Sequence, residues 1–154
     1  MTRISYKDIA PGAYQAMLGL ECHVLASGLD HALLELVRTR ASQLNGCAFC
    51  LDMHTKDAIA GGETPQRLLV LSAWRDAPFY TERERAALAW TEALTRLGPD
   101  GVTDELHHAT SGQFDEREMV DLTMAIVAIN GWNRLAIAFH SPEAGSHVPA
   151  GGSR

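Results

Sequence analysis

The sequence predicts an all-α fold, a single-domain bundle of about six to seven helices. Three observations carry this. Apolar residues recur at helical spacing through most of the chain, helix start and stop signals bracket each stretch, and strand signals are nearly absent. The length of 154 residues suits one domain with a sizeable core, and the 46% hydrophobic and 21% charged content is that of a soluble globular protein.

Pro11 suits a first helical position, and apolar residues continue through Leu18, Leu20 and Val24 until Gly28. Asp30 can cap a second helix, with Leu29 and Leu34 placed as a hydrophobic staple, and Asn45-Gly46 ends it. A third starts near Cys47 and stops at Gly61-Gly62. Thr64-Pro65 reads as an N-cap followed by proline and opens a fourth through about Trp74. Thr81 with Glu84 forms a capping box for a fifth, closed by Gly98-Pro99. Thr103 starts a short sixth. Asp115 with Glu118, and Phe114 against Met119, mark a long seventh running to about His140. That helix is apolar nearly all round, which predicts burial in a bundle or an interface. Residues 1–140 form the expected helical domain. The tail, 141–154, has little to bury and is expected to be mobile or docked on a neighbour.

A formal net charge of −6 with no Lys/Arg cluster argues against nucleic acid or an anionic membrane as partner. Met1 to Ala10 lacks the apolar centre of a secretory signal. The longest wholly apolar stretch, Met124 to Ile129, falls far short of the ~20 residues of a membrane span. A cytoplasmic location is expected. No Gly-rich dinucleotide fingerprint follows a strand, so no nicotinamide cofactor is expected.

Chemistry concentrates in the run Asn45-Gly46-Cys47-Ala48-Phe49-Cys50-Leu51-Asp52-Met53-His54. Thiol pKa values fall in Cys-x-x-Cys motifs and at helix N-termini, where unpaired N–H groups and the macrodipole favour a thiolate. At 3.6 residues per turn, Cys47, Cys50, Leu51, His54 and Ala58 share a stripe about 100° wide, while Asp52 and Lys56 point the other way. Histidine one turn above Cys50 can take and return a proton near neutral pH. The constellation reads as dithiol redox chemistry. One cysteine pair cannot supply a four-ligand zinc site, although Cys47, Cys50, His54 and Glu35 together are a conceivable set. No metal is expected.

Glu35 shares a stripe with His31, Arg38 and Ser42, opposite Leu33, Val37 and Leu44. Periodicity allows a solvated face. It equally allows a face turned toward the cysteine helix or a second subunit, with Glu35 a proton acceptor whose pKa burial has raised. Cys22 reads as a buried core thiol. Trp74, Trp90 and Trp132 read as packing residues with hydrogen-bonded indoles, and Asn130, Asn133 and Arg134 as satisfying polar groups within or between subunits. His107 and His108 read as solvated.

The segment from Glu35 through Cys47 and Cys50, followed by His54, resembles the core of the alkylhydroperoxidase D-like group within the carboxymuconolactone decarboxylase superfamily. The run Ala128-Ile129-Asn130-Gly131-Trp132-Asn133-Arg134-Leu135 is also similar to that group. The resemblance implies a helical protomer that forms a homo-oligomer (a dimer, trimer or hexamer) and a thiol-dependent peroxidase reducing hydrogen or organic hydroperoxides. Carried over by position, it implies Cys50 as the peroxide-attacking cysteine and Cys47 as the resolving one. Glu35 and His54 would form the proton relay, and an external dithiol reductant (a lipoyl or thioredoxin-like protein) the partner. The best-known members carry a second histidine between the cysteines, where this chain has Phe49, which cannot move a proton. Two other readings are a thiol–disulfide oxidoreductase acting on a partner protein and a non-catalytic redox-sensing oligomer.

Overall fold

The computed structural model describes residues 2–150. Among them there are eight α-helices and no strand: α1 (Tyr6–Ile9), α2 (Pro11–Leu25), α3 (His31–Asn45), α4 (Ala48–Ala60), α5 (Pro65–Leu69), α6 (Glu82–Thr95), α7 (Asp104–Ser111) and α8 (Glu116–Phe139). The sequence-predicted caps are in place. Asp30 accepts from Leu33 N, Thr64 from Arg67 N and Thr103 from Leu106 N, and both capping boxes, Thr81/Glu84 and Asp115/Glu118, close reciprocally. Each satisfies N–H groups that a helix start otherwise leaves open.

One additional helix and one early helix end depart from the sequence reading. The short α1 has no counterpart in the sequence reading; its Tyr6 ring packs on Tyr14 and Phe139 at 6.1 and 5.8 Å. The helix opened by Thr64-Pro65 ends at Leu69, not near Trp74, and a 3₁₀ turn follows over Leu71–Ala73. Three residues per turn bring Leu68, Leu71 and Trp74 onto one line, and all three enter one apolar cluster with Leu36 and Leu88.

Helix α3 is the centre of the bundle, packing against α4, α6 and α8. Its Leu33, Leu34 and Val37 join Val24, Ala87, Leu122, Ala125 and Ile126 in the largest cluster. A smaller cluster of Ala41, Cys47, Cys50, Ile129 and Ala136 seats the two cysteines between α3, α4 and α8. Gly46 makes the short α3–α4 turn possible. It caps α3 in the left-handed region at φ 69°, and Cys47 N then donates to Ser42 O at 3.1 Å. A side chain in that conformation costs roughly 1–2 kcal/mol, which glycine avoids. Asn45 anchors the same turn by donating from Nδ2 to Asn130 Oδ1 and Asn133 Oδ1 on α8, at 2.9 and 2.8 Å.

Cys22 is exposed, contrary to its reading as a core thiol. Two residues of helix turn it about 200° from Val24, the buried residue of α2. Helix α8 is less uniformly buried than its composition suggests: Val120 and Val127 are 58% and 49% exposed, on one face a heptad apart. By length and composition alone, α8 qualifies as a membrane span. Its buried side nonetheless carries Asp121, held by Arg117 and His23, and Asn133, which donates to Ser42; these are the pairings of a bundle core.

After α8 the chain turns at His140, in the left-handed region at φ 50°, and returns along α4. Gly145 N donates to Asp52 Oδ2 at 3.0 Å, Lys56 Nζ donates to His147 O at 3.1 Å, and His147 Nε2 lies 2.6 Å from Asp57 Oδ1. The expected tail thus docks on its own protomer as far as His147. Its last four positions, 151–154, lie outside the described residues.

Candidate active site

Cys47 is the N-cap of α4, and its Sγ accepts from Cys50 N at 3.3 Å. The two sulfurs are joined as a disulfide with the Cα atoms 5.3 Å apart, and each residue is only 1% exposed. One turn beyond Cys50, His54 is also buried and faces Glu35 across the α3–α4 contact, Nδ1 to Oε2 at 2.9 Å. The polar stripe of α3 is therefore turned inward: Glu35, Arg38 and Ser42 are all buried, and only His31 remains exposed.

Glu35 does not have the raised pKa expected from burial. Burial does push its carboxyl up, but the hydrogen bond and charge of His54 and the Arg38 guanidinium, at 2.7 Å from Oε1, outweigh it and hold the group below its usual value. An ionised carboxylate only accepts hydrogen bonds. His54 Nδ1 must then carry its hydrogen toward Glu35, which leaves Nε2 as the basic nitrogen. The contact with Glu35 fixes the orientation of the imidazole and turns Nε2, a nitrogen able to exchange a proton, away from the carboxylate.

One site residue, Glu21, has no local signature in the sequence. Glu21, on α2, accepts from Arg38 Nη2, and its Oε2 accepts from Trp132 Nε1 of α8 at 3.0 Å. Arg38 thereby bridges two carboxylates from different helices, with its side chain only 5% exposed. The three tryptophan indoles are hydrogen-bonded as expected: besides Trp132, Trp74 donates to Glu92 at 2.8 Å and Trp90 to Thr123 at 3.0 Å.

Cys50, His54, Glu35, Arg38 and Glu21 open onto one cavity of about 370 Å³, whose remaining walls include Tyr14, Leu18, Phe49, Met53 and Trp132. Cys47 opens instead onto a second cavity of about 390 Å³, between the start of α4, the end of α8 and residues 142–144. The site thus combines a buried, disulfide-linked cysteine pair, a histidine oriented by a carboxylate, and a largely apolar chamber. That is the equipment of thiol redox chemistry with proton transfer. Among the described residues no three His, Cys, Asp or Glu side chains are grouped to hold a metal ion.

The carboxymuconolactone decarboxylase family model matches residues 11–93, from the start of α2 to within α6. The uncharacterized protein YdfG of Bacillus subtilis (strain 168) is 44% identical over 136 residues, covering 88% of this chain and 92% of that protein. The crystal structure of ATU0492 from Agrobacterium tumefaciens superposes with a TM-score of 0.88 at 43% identity, covering 92% of this chain and 97% of that one. ATU0492 is a protein of unknown function proposed to be the antioxidant defence protein AhpD. The debrominase Bmp8 shares the fold, with a TM-score of 0.75 at 22% identity over 85% of this chain and 70% of its own. With a family match over more than half of its length and these relatives spanning nearly all of it, the chain belongs to the carboxymuconolactone decarboxylase family, in its alkylhydroperoxidase D-like group.

Proposed function

We propose that the protein is a thiol-dependent peroxidase that reduces hydrogen or organic hydroperoxides through a Cys47/Cys50 dithiol–disulfide cycle. The observation that carries this reading is the shared chamber, into which both Cys50 and the Glu35-oriented His54 open. In the reduced protein His54 takes the Cys50 proton, and the thiolate attacks the peroxide O–O bond. Cys50 becomes a sulfenic acid, and the departing alkoxide or hydroxide takes up the proton from His54. The Cys47 thiol then displaces hydroxide from the sulfenic sulfur, releasing water and closing the disulfide. An external dithiol returns the pair to the reduced state, itself becoming a disulfide. The cycle needs no metal or organic cofactor and suits a reducing compartment such as the cytoplasm.

Steady-state peroxide consumption with a panel of dithiols, lipoyl and thioredoxin systems included, tests the proposal. Turnover is the expected result. Rapid exchange with protein disulfides and no peroxide turnover would favour a thiol–disulfide oxidoreductase. The burial of both sulfurs speaks against that alternative, because a folded partner's disulfide has no direct access to them.

Glu35→Gln and His54→Ala should each slow peroxide attack at neutral pH by roughly 10²–10⁴-fold, the usual contribution of a general acid–base group. Alkaline pH should partly restore both, since hydroxide then removes the thiol proton directly. A loss of only a few-fold would remove these residues from the relay.

We also propose a homo-oligomer. Val120 and Val127 on α8, and Leu97 at 67% exposure beyond the end of α6, are large apolar side chains in solvent that a symmetric interface would bury. Sedimentation equilibrium at micromolar concentration should give a multiple of the 16.7 kDa chain mass, and a monomer mass throughout would refute it.

A further inference from the structure

The two sulfurs of the disulfide open onto different cavities. Cys50 lines the chamber that holds Glu35 and His54, and Cys47 lines the second cavity, with Ala48, Ile137, His140 and Ala144. Phe49, Ala136 and Pro142 line both and form the shared wall. We propose that peroxide and reductant reach the cysteine pair by separate routes, peroxide meeting the reduced Cys50 in the first chamber and the reducing dithiol entering the second cavity to attack Cys47 of the disulfide. This rests on the redox cycle proposed above and adds the binding site of its second substrate.

The chemistry of exchange favours the assignment. A thiolate attacks a disulfide in line with the S–S bond, so one that strikes Cys47 arrives from the side away from Cys50. The second cavity adjoins Cys47 without touching Cys50. The attack forms a mixed disulfide between the reductant and Cys47 and breaks the Cys47–Cys50 bond. The electron pair of that bond leaves with Cys50, whose thiolate is released into the chamber where His54 can protonate it and where the next peroxide binds. The second thiolate of the reductant then attacks its own sulfur in the mixed disulfide. A cyclic disulfide departs, and Cys47 is left reduced after a transfer of two electrons.

The cavity also limits what can reduce Cys47. The residue is 1% exposed, so a cysteine fixed on the convex surface of a globular domain cannot touch it. A dithiol that is small, or carried on a slender arm, can enter a space of about 390 Å³. Phe49, Ala136, Ile137 and Pro142 supply most of an apolar lining, with His140 and Glu143 its polar members, and this lining suits an uncharged alkyl dithiol over a charged peptide thiol such as glutathione. Phe49 acquires a role here despite its inability to move a proton: as part of the shared wall it keeps the two substrates apart.

The test uses the full chain oxidised beforehand with diamide, so that reduction is read without any need for peroxide turnover. Reduction by dithiothreitol is followed by stopped-flow tryptophan fluorescence and thiol counting. Peroxide attack on the reduced protein is followed separately. Ile137→Trp and Ala144→Trp, at two exposed positions of the second cavity, should each slow reduction at least tenfold and leave peroxide attack within twofold of the wild type. Leu18→Trp, in the other chamber, should slow peroxide attack and leave reduction by dithiothreitol unchanged. Reduction at the wild-type rate in both second-cavity variants would overturn the proposal, as would equal slowing of reduction by Leu18→Trp.

Discussion

Cys50→Ser should abolish peroxide turnover and leave no sulfenic acid to trap. The expectation follows from where the two sulfurs open: Cys50 lines the chamber with Glu35 and His54, and Cys47 does not. Serine keeps the volume, but its hydroxyl is neither ionised near neutral pH nor polarisable enough to open an O–O bond. Cys47→Ser should behave differently. The first attack proceeds, no resolving thiol is present, and one equivalent of sulfenic acid accumulates on Cys50, where dimedone captures it and peptide mass spectrometry locates it. Turnover in the presence of a dithiol should fall in both variants, but only Cys47→Ser should consume a single stoichiometric equivalent of peroxide. A dimedone adduct on Cys47 of the Cys50→Ser variant would reverse the roles.

Arg38→Met should cause the largest loss of stability of any single substitution at the site. The guanidinium lies between Glu21 and Glu35, and among the described residues no other Lys or Arg pairs with either carboxylate. Removing one partner of a buried ion pair typically costs about 3–5 kcal/mol, a large part of the roughly 5–15 kcal/mol that holds a domain together. Lysine should rescue only partly, because a point charge does not reproduce a planar fork serving two carboxylates. The pH dependence carries the sign. In the wild type Glu35 titrates below its unfolded value of about 4.3, so its stabilising contribution is complete above that pH and fades as the pH falls through the folded value. Without Arg38 that contribution shrinks. The difference between variant and wild type in urea midpoint should therefore be greatest at neutral pH and narrow toward pH 4 and below. A pH-independent difference would mean that packing of the arginine stem, and not its charge, is what matters.

The elements legible in the sequence are those whose determinants are local. A capping box lies within four residues, and the hydrophobic staples Leu29/Leu34 and Phe114/Met119 both end in the main core. Helix α1 has no such local support; its Tyr6 is held by rings contributed from α2 and α8. Within the site, the cysteine–histidine stripe follows from helical geometry alone. The direction in which Glu35 faces does not, because periodicity defines a face and says nothing of what covers it. Its electrostatics depend on the outcome of a competition. Burial alone would raise the carboxyl, and the combined pull of His54 and Arg38 reverses the sign. Arg38, three residues on, was visible as a neighbour. Glu21, and its pairing with Trp132, are not legible there, since the two come from α2 and α8 and meet only in the folded bundle. The same holds for the second cavity, whose walls include the segment after α8 that lies along α4.

The most direct measurement of the central claim is a thiol count on the fully reduced protein after one equivalent of hydroperoxide, in the absence of any reductant and of oxygen. With an organic hydroperoxide, the expected result is the loss of two thiols per chain, an intact mass lower by two hydrogens, a peptide map that places the new disulfide at Cys47–Cys50, and one equivalent of the corresponding alcohol. Cys22 should remain free. Peroxide that persists unconsumed beside an undiminished thiol count would contradict the account.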